Sequence, residues 1–269
     1  METIGFIGGG NMAQALIKGI IKAKVYKSGN IFVSDIKPER LAYLSKEYGI
    51  QMVGDNKALA GKVDTLVLSV KPQTMAAVLG EIKDAVRTKT LIISIAAGKR
   101  IAAIAGVLGD AAIVRVMPNT PALIGEGASA LFANEKGKSM LDKAKSIFSA
   151  VGKTVIVDSE DLIDAVTAVS GSGPAYYFLL MEEMIKAAVK LGLSENAAKE
   201  LVLQTARGAA LLAIEGDKNG ESPAVLRQKV TSPGGTTEAA LKVLADGKLG
   251  ILLANAIEKA CERSRELSK

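Results

Sequence analysis

An apolar run, Ile4-Gly5-Phe6-Ile7, meets three glycines (Gly8, Gly9 and Gly10) and passes directly into a helical pattern at Asn11-Met12-Ala13. Few folds accommodate that succession. A glycine turn between a buried strand and a helix belongs at the carboxyl edge of a parallel α/β sheet. The spacing Gly8-x-Gly10-x-x-Ala13 fits the dinucleotide fingerprint. Gly8 permits the tight turn, Gly10 lets a pyrophosphate reach the backbone, and Ala13 allows close helix–strand packing. The pyrophosphate would rest on the free amides at the start of the helix.

The rest of the first half supports that placement. Short Ile- and Val-rich runs alternate with amphipathic segments, with strands expected at Ile31–Val33, Thr65–Val70, Leu91–Ile95, Ile113–Met117, Ser129–Phe132 and Thr154–Val157. Helical patterns lie between them at Met12–Ala23, Pro38–Tyr48, Thr74–Val86 and Lys138–Val151. Apolar strands alternating with helices predict a doubly wound, mostly parallel sheet covered on both faces. After Asp158 the strand signal stops. Ser159-Glu160-Asp161 opens a run of long helical patterns: Pro174–Leu191 ended by Gly192, Ser194–Glu215 ended by Gly216, then Thr236–Ala245 and Leu249–Leu267. The expected class is therefore α/β, a Rossmann-type domain over residues 1–160 followed by an all-helical domain over 161–269.

Composition narrows the chemistry. The chain has 269 residues, one cysteine (Cys261) and no histidine, which excludes intramolecular disulfides, Cys/His zinc sites and imidazole catalysis. No metal site is expected. Net charge is +6, but the cations are scattered and aromatics are few, so nucleic acid is not an expected partner. Met1–Gly10 has no basic region and does not read as a signal peptide, and no apolar stretch approaches the roughly 20 residues of a membrane span. A cytoplasmic protein without membrane contact is expected. Between Leu201 and Ile214, ten of 14 residues are apolar. A helix greasy on all sides is either a central core helix or part of an intimate dimer. The small helical domain favours the dimer.

Other strand ends should face the cofactor. They carry Val70-Lys71-Pro72, Ala96-Ala97-Gly98 and Met117-Pro118-Asn119-Thr120-Pro121. Asp35, just past the second strand, has two readings. It accepts hydrogen bonds from an adenosine ribose, or it caps the helix that starts at Pro38. Lys37 and Arg40 follow closely and suit a 2′-phosphate, so the sequence leaves NADH and NADPH both open. Two glycine-rich helix openings, Ser170-Gly171-Ser172-Gly173-Pro174 and Thr231-Ser232-Pro233-Gly234-Gly235-Thr236-Thr237, offer amides and hydroxyls suited to a carboxylate. Either also reads as ordinary capping.

Taken in order, these segments resemble pyrroline-5-carboxylate reductase. The matching runs are Gly5–Ala13, Val70–Pro72, Ala96–Gly98, Met117–Pro121, Asp161–Thr167 continuing to Ser170–Tyr176, and Val230–Thr237, and they span nearly the whole chain. The resemblance implies reduction of 1-pyrroline-5-carboxylate to L-proline by NADPH or NADH. It also implies a helical domain that forms a homodimer, with dimers assembling into rings. Carried over by motif, Ile7, Gly8, Gly9, Gly10, Asn11, Met12, Asp35, Asn56, Val70, Lys71, Pro72, Ala96 and Ala97 would line the cofactor. Glu160, Gly234, Gly235, Thr236 and Thr237 would line the substrate, with Thr237 as the catalytic residue beside the imine nitrogen. Asp35 departs from relatives that carry Ser there, and Lys229 from a relative that carries Asn. Two rivals fit the same plan: a hydroxy-acid dehydrogenase, which commonly carries a lysine early in the helix after the glycine-rich segment, and a nucleotide sensor. Ala175–Glu183 contains no lysine, which weighs against the first.

Overall fold

The computed structural model describes residues 2–268. Eight strands form one sheet: β1 (Ile4–Ile7), β2 (Ile31–Ser34), β3 (Gln51–Met52), β4 (Thr65–Leu68), β5 (Leu91–Ser94), β6 (Ala112–Met117), β7 (Gly127–Ala133) and β8 (Gly152–Ile156). Their order is β3-β2-β1-β4-β5-β6-β7-β8, and only the β6–β7 pairing is antiparallel. The chain leaves β1 for β2 on one side and returns to β4 on the other. That reversal opens a crevice at the carboxyl ends of β1 and β4.

The strands are apolar because both faces are covered. Ile4 and Phe6, Val67, Leu91 and Ile93, and Val114 and Val116 pack into one core layer. Their neighbours Ile7, Leu66 and Leu68, Ile92 and Ile113 pack into the other. The period of two is that of a pleated strand buried on both sides. Helices α1 (Asn11–Lys22), α2 (Pro38–Tyr48), α3 (Asn56–Lys62), α4 (Met75–Ile82), α5 (Ile101–Leu108) and α6 (Leu141–Ser149) alternate with the strands.

The remaining chain is helical: α7 (Leu162–Val166), α8 (Gly173–Lys190), α9 (Glu195–Lys218), α10 (Pro223–Lys229), α11 (Thr236–Asp246) and α12 (Leu249–Leu267). The molecule divides into two compact units. The first comprises residues up to Pro174 together with those from Lys259 onward, and the second comprises Ala175–Glu258. In the first unit, the hydroxyl of Ser264 donates to the fully buried Asp164 carboxylate at 2.6 Å. Among the described residues, no helix is long and apolar enough to cross a membrane.

Two local expectations are corrected. Gly216 does not end α9, which runs on to Lys218, and the left-handed residue is Gly220 (φ 76°). Gly216 is buried instead, and a Cβ there would lie 3.1 Å from Leu226 of α10, so it serves helix packing. Nor does Ser170–Pro174 form a free helix opening. Thr167–Gly171 is a π turn that continues α7 into α8, and the Ser172 amide donates to the Thr167 carbonyl at 2.8 Å. That amide is already bonded and unavailable to an anion. Gly171 packs closely against Met117, whose flexible Cε would stand 2.5 Å from a Cβ placed there.

Candidate active site

The glycine turn is built by the first unit alone. Gly8 has φ 95°, its amide donates to the Ser34 carbonyl at 2.8 Å, and a Cβ on it would lie 2.8 Å from the Ser69 carbonyl oxygen. Only glycine fits that corner without strain. The Ser69 hydroxyl holds the turn from below, within 3.0 Å of the Ile7 carbonyl and 2.7 Å of the Gly8 carbonyl. Gly10, by contrast, faces open space, with nothing within 4 Å of the position a Cβ would take. It is also the N-cap of α1, where no side chain caps the helix. The first-turn amides of Asn11 and Met12 therefore end in a cradle that a phosphate can enter. A dinucleotide fits this geometry.

Asp35 follows β2 and reaches back to the turn. Its Oδ2 accepts from the Gly9 amide at 2.6 Å and its Oδ1 from the Lys37 amide at 2.9 Å. It is not the cap of α2, whose N-cap position is Lys37 without a side-chain cap. Arg40 also closes on the turn, donating from Nε to the Gly9 carbonyl and from Nη2 to Gln14 Oε1 at 2.6 Å. Neither contact is readable in the sequence, because turn and partner stand some 26 to 31 positions apart.

The other expected cofactor residues sit at neighbouring strand ends. Asn56 opens α3, accepts from the Ser34 hydroxyl at 2.7 Å and donates to Glu81 at 2.6 Å. Val70, Lys71 and Pro72 follow β4, and Pro72 starts a short 3-10 turn. Ala96 and Ala97 follow β5, and the Ala96 amide lies 3.4 Å from the Ser94 hydroxyl. The Met117–Pro121 loop serves structure: Asn119 donates to the Ser170 carbonyl at 3.2 Å and accepts from the Ala128 amide at 2.9 Å.

Glu160 lies in the first unit as well. Its Oε1 accepts from Arg115 Nη1 at 2.9 Å and from the Ile101 amide at 2.8 Å, so it pairs a buried cation and caps α5 at once. The Arg115 side chain is 2% exposed, and its Nη2 has no partner among the described residues. Composition hides this pair, since a lone arginine in an apolar strand carries no pattern.

The second unit carries the other expected group. Gly234 (φ 70°) turns the chain into α11, whose N-cap, Gly235, has no side-chain cap. Thr236 and Thr237 occupy the first two helical positions. The Gly234 amide is taken by the Glu238 carboxylate at 2.7 Å. Arg227, Thr231 and Lys242 line the same groove. The Gly235 amide is likewise taken by the Ser232 carbonyl at 3.0 Å, so a small carboxylate would be received by the first-turn groups of Thr236 and Thr237, flanked by the two cations.

Known proteins match in both halves. A family model described as pyrroline-5-carboxylate reductase dimerisation matches residues 160–267, and one described as NADP oxidoreductase, coenzyme F420-dependent, matches residues 3–98. A pyrroline-5-carboxylate reductase of Pseudomonas aeruginosa is 46% identical over 268 residues, covering 99% of this chain and 97% of the relative. The structure of a pyrroline-5-carboxylate reductase from Coxiella burnetii superposes with a TM-score of 0.93 at 44% identity, over 100% of this chain and 99% of that one. A Plasmodium falciparum pyrroline carboxylate reductase with NADP bound gives 0.88 at 33% identity, over 100% and 98%.

Proposed function

The chain belongs to the pyrroline-5-carboxylate reductase family, and we propose that residues 1–160 hold the reduced nicotinamide while residues 161–269 hold the imino acid and join two copies. The protein is an oxidoreductase that reduces pyrroline-5-carboxylate to proline with NAD(P)H. The observation that carries the residue assignment is the uncapped start of α1 at Gly10, open to at least 4 Å beyond the tight turn at Gly8.

In this reading Ile7–Met12 receive the pyrophosphate, Asp35 and Asn56 flank the adenosine ribose, and Val70–Pro72 with Ala96–Ala97 border the nicotinamide half. Bound there, the dihydronicotinamide supplies the hydride. Gly234 and Gly235 shape the turn that lines the substrate, and Thr236 and Thr237 at the first two helical positions seat its carboxylate, which fixes the ring face that is presented. The cyclic imine reacts as its iminium, so the carbon accepts the hydride and the ring nitrogen ends with the proton. With no histidine in the chain, no side chain titrates at neutral pH as an unperturbed imidazole does. Thr237 is then the hydrogen-bond partner at the imine nitrogen, and alignment supplies most of the rate. Glu160 is assigned to the substrate lining in the same reading, its Oε1 bound to Arg115 and the Ile101 amide.

We infer a homodimer whose dimers assemble into a ring, working in the cytoplasm on a small-molecule substrate and without nucleic acid. The dimerisation-domain match and the exposed leucines of α9 support self-association. The test follows nicotinamide absorbance with 1-pyrroline-5-carboxylate present. Wild type consumes the reduced cofactor and forms proline, whereas Gly10→Val, with its cradle filled, loses cofactor binding. A folded wild-type protein that oxidises neither NADH nor NADPH with this imine overturns the assignment.

A further inference from the structure

Resting on the reading that the glycine turn holds a dinucleotide, we propose that Asp35 makes this protein favour NADH over NADPH. The nearby cation, Arg40, directs its Nε and Nη2 donors to the glycine turn and Gln14 and not to the ribose corner.

The Asp35 carboxylate is held at two points. The Gly9 amide binds one oxygen at 2.6 Å and the Lys37 amide binds the other at 2.9 Å. A carboxylate offers about four lone-pair sites, so roughly two remain for vicinal ribose hydroxyls. A 2′-phosphate at that corner removes one donor and sets a second anion against the first. Like charges at short range disfavour binding.

A nearby cation would reverse that balance. Arg40 has five N–H donors in a rigid fork. Its Nε donates to the Gly9 carbonyl, and its Nη2 faces Gln14 Oε1 at 2.6 Å and the Gly10 carbonyl at 3.4 Å. The guanidinium also stands 5.2 Å from the centroid of the Tyr43 ring, a cation–π contact. Arg40 is thus a brace for the turn itself. The Asn56 amide nitrogen donates to the Glu81 carboxylate at 2.6 Å, so that position adds another acid. Lys37 is exposed on a flexible stem, where its attraction is screened by salt and water.

The experiment is calorimetric titration of the folded protein with NADH and NADPH, repeated with the adenosine halves 5′-ADP and 2′,5′-ADP. Wild type binds NADH and 5′-ADP about tenfold or more tightly than their 2′-phosphorylated counterparts. Asp35→Ser brings each ratio to within about threefold or inverts it. Arg40→Gln weakens both members of each pair alike and preserves the ratio, because it loosens the turn and not the ribose corner. Arg40→Lys reads the same ratio should the glutamine variant fail to fold. Tighter binding of NADPH by wild type, or selective loss of 2′-phosphorylated ligands in the Arg40 variants, overturns the proposal while leaving the cofactor site intact. Failure of the folded protein to bind any of the four ligands sinks the dinucleotide reading itself.

Discussion

A methyl group on Gly8 meets two obstacles at once, a positive φ and a carbonyl oxygen at 2.8 Å. Gly8→Ala is expected to cost about 1–3 kcal/mol of stability, read by denaturant unfolding, and to weaken cofactor binding through the displaced turn. At Thr237 the change is chemical. A hydrogen bond to a charged group is worth about 1.5–3 kcal/mol, so Thr237→Ala lowers kcat/KM about 10- to 100-fold with the fold unchanged. An unaltered kcat/KM removes Thr237 from the mechanism. Asp64, beside β4, titrates away from both sites. Burial raises its pKa, but bonds from the Thr3 amide and hydroxyl and from Arg87 outweigh this and hold the carboxyl below the usual range. A carboxyl depressed in the folded state stabilises above its unfolded pKa, and that stability is lost as pH falls through the folded value. Acid unfolding of Asp64→Asn therefore converges with that of wild type at the low-pH end, and the two separate as pH rises. Asp64 is half exposed, so the separation is small.

Among the elements, β6, α5 and the segment before α7 are coupled through one carboxylate. Removing Glu160 strands the buried Arg115 guanidinium and uncaps α5. Breaking a buried pair from one side costs about 3–5 kcal/mol, so Glu160→Ala lowers the denaturation midpoint markedly. A residue that acted only on substrate would raise KM and leave the midpoint in place. The strands were readable in the sequence because burial on both faces demands continuous apolar runs, as in Ile4–Ile7 and Leu91–Ser94. Helices α3 and α5 were not. Asn56–Lys62 is only seven residues long, and Ile101–Leu108 is nearly uniform in polarity, so neither shows a clear amphipathic period. The glycine turn was legible as a motif, whereas its fastenings by Asp35, Arg40 and Ser69 come from distant positions that only the folded chain brings together. Gly216 and Ser170–Pro174 misled for one reason: glycine marks close packing as readily as it marks a helix end.

At the scale of the molecule, the apolar stretch 201–214 is not a core helix of the single chain. Leu212 is 56% exposed, and Leu201, Leu203, Leu211 and Ile214 are exposed as well. Burial of one leucine is worth about 1.5–3 kcal/mol. Leu212→Glu should therefore weaken self-association at least about tenfold by sedimentation, while cofactor binding by the first unit persists. The pairing of Ser264 with Asp164 also bears on how the chain is made. Residues from 259 onward complete the unit that residues up to 174 begin, with 175–258 interposed. A ribosome adding about 5–20 residues per second needs roughly 4–17 s to traverse that interval. Through those seconds the nascent Rossmann half waits with Asp164 lacking its serine, exposed to chaperones and proteases until the last turns of α12 emerge and close it.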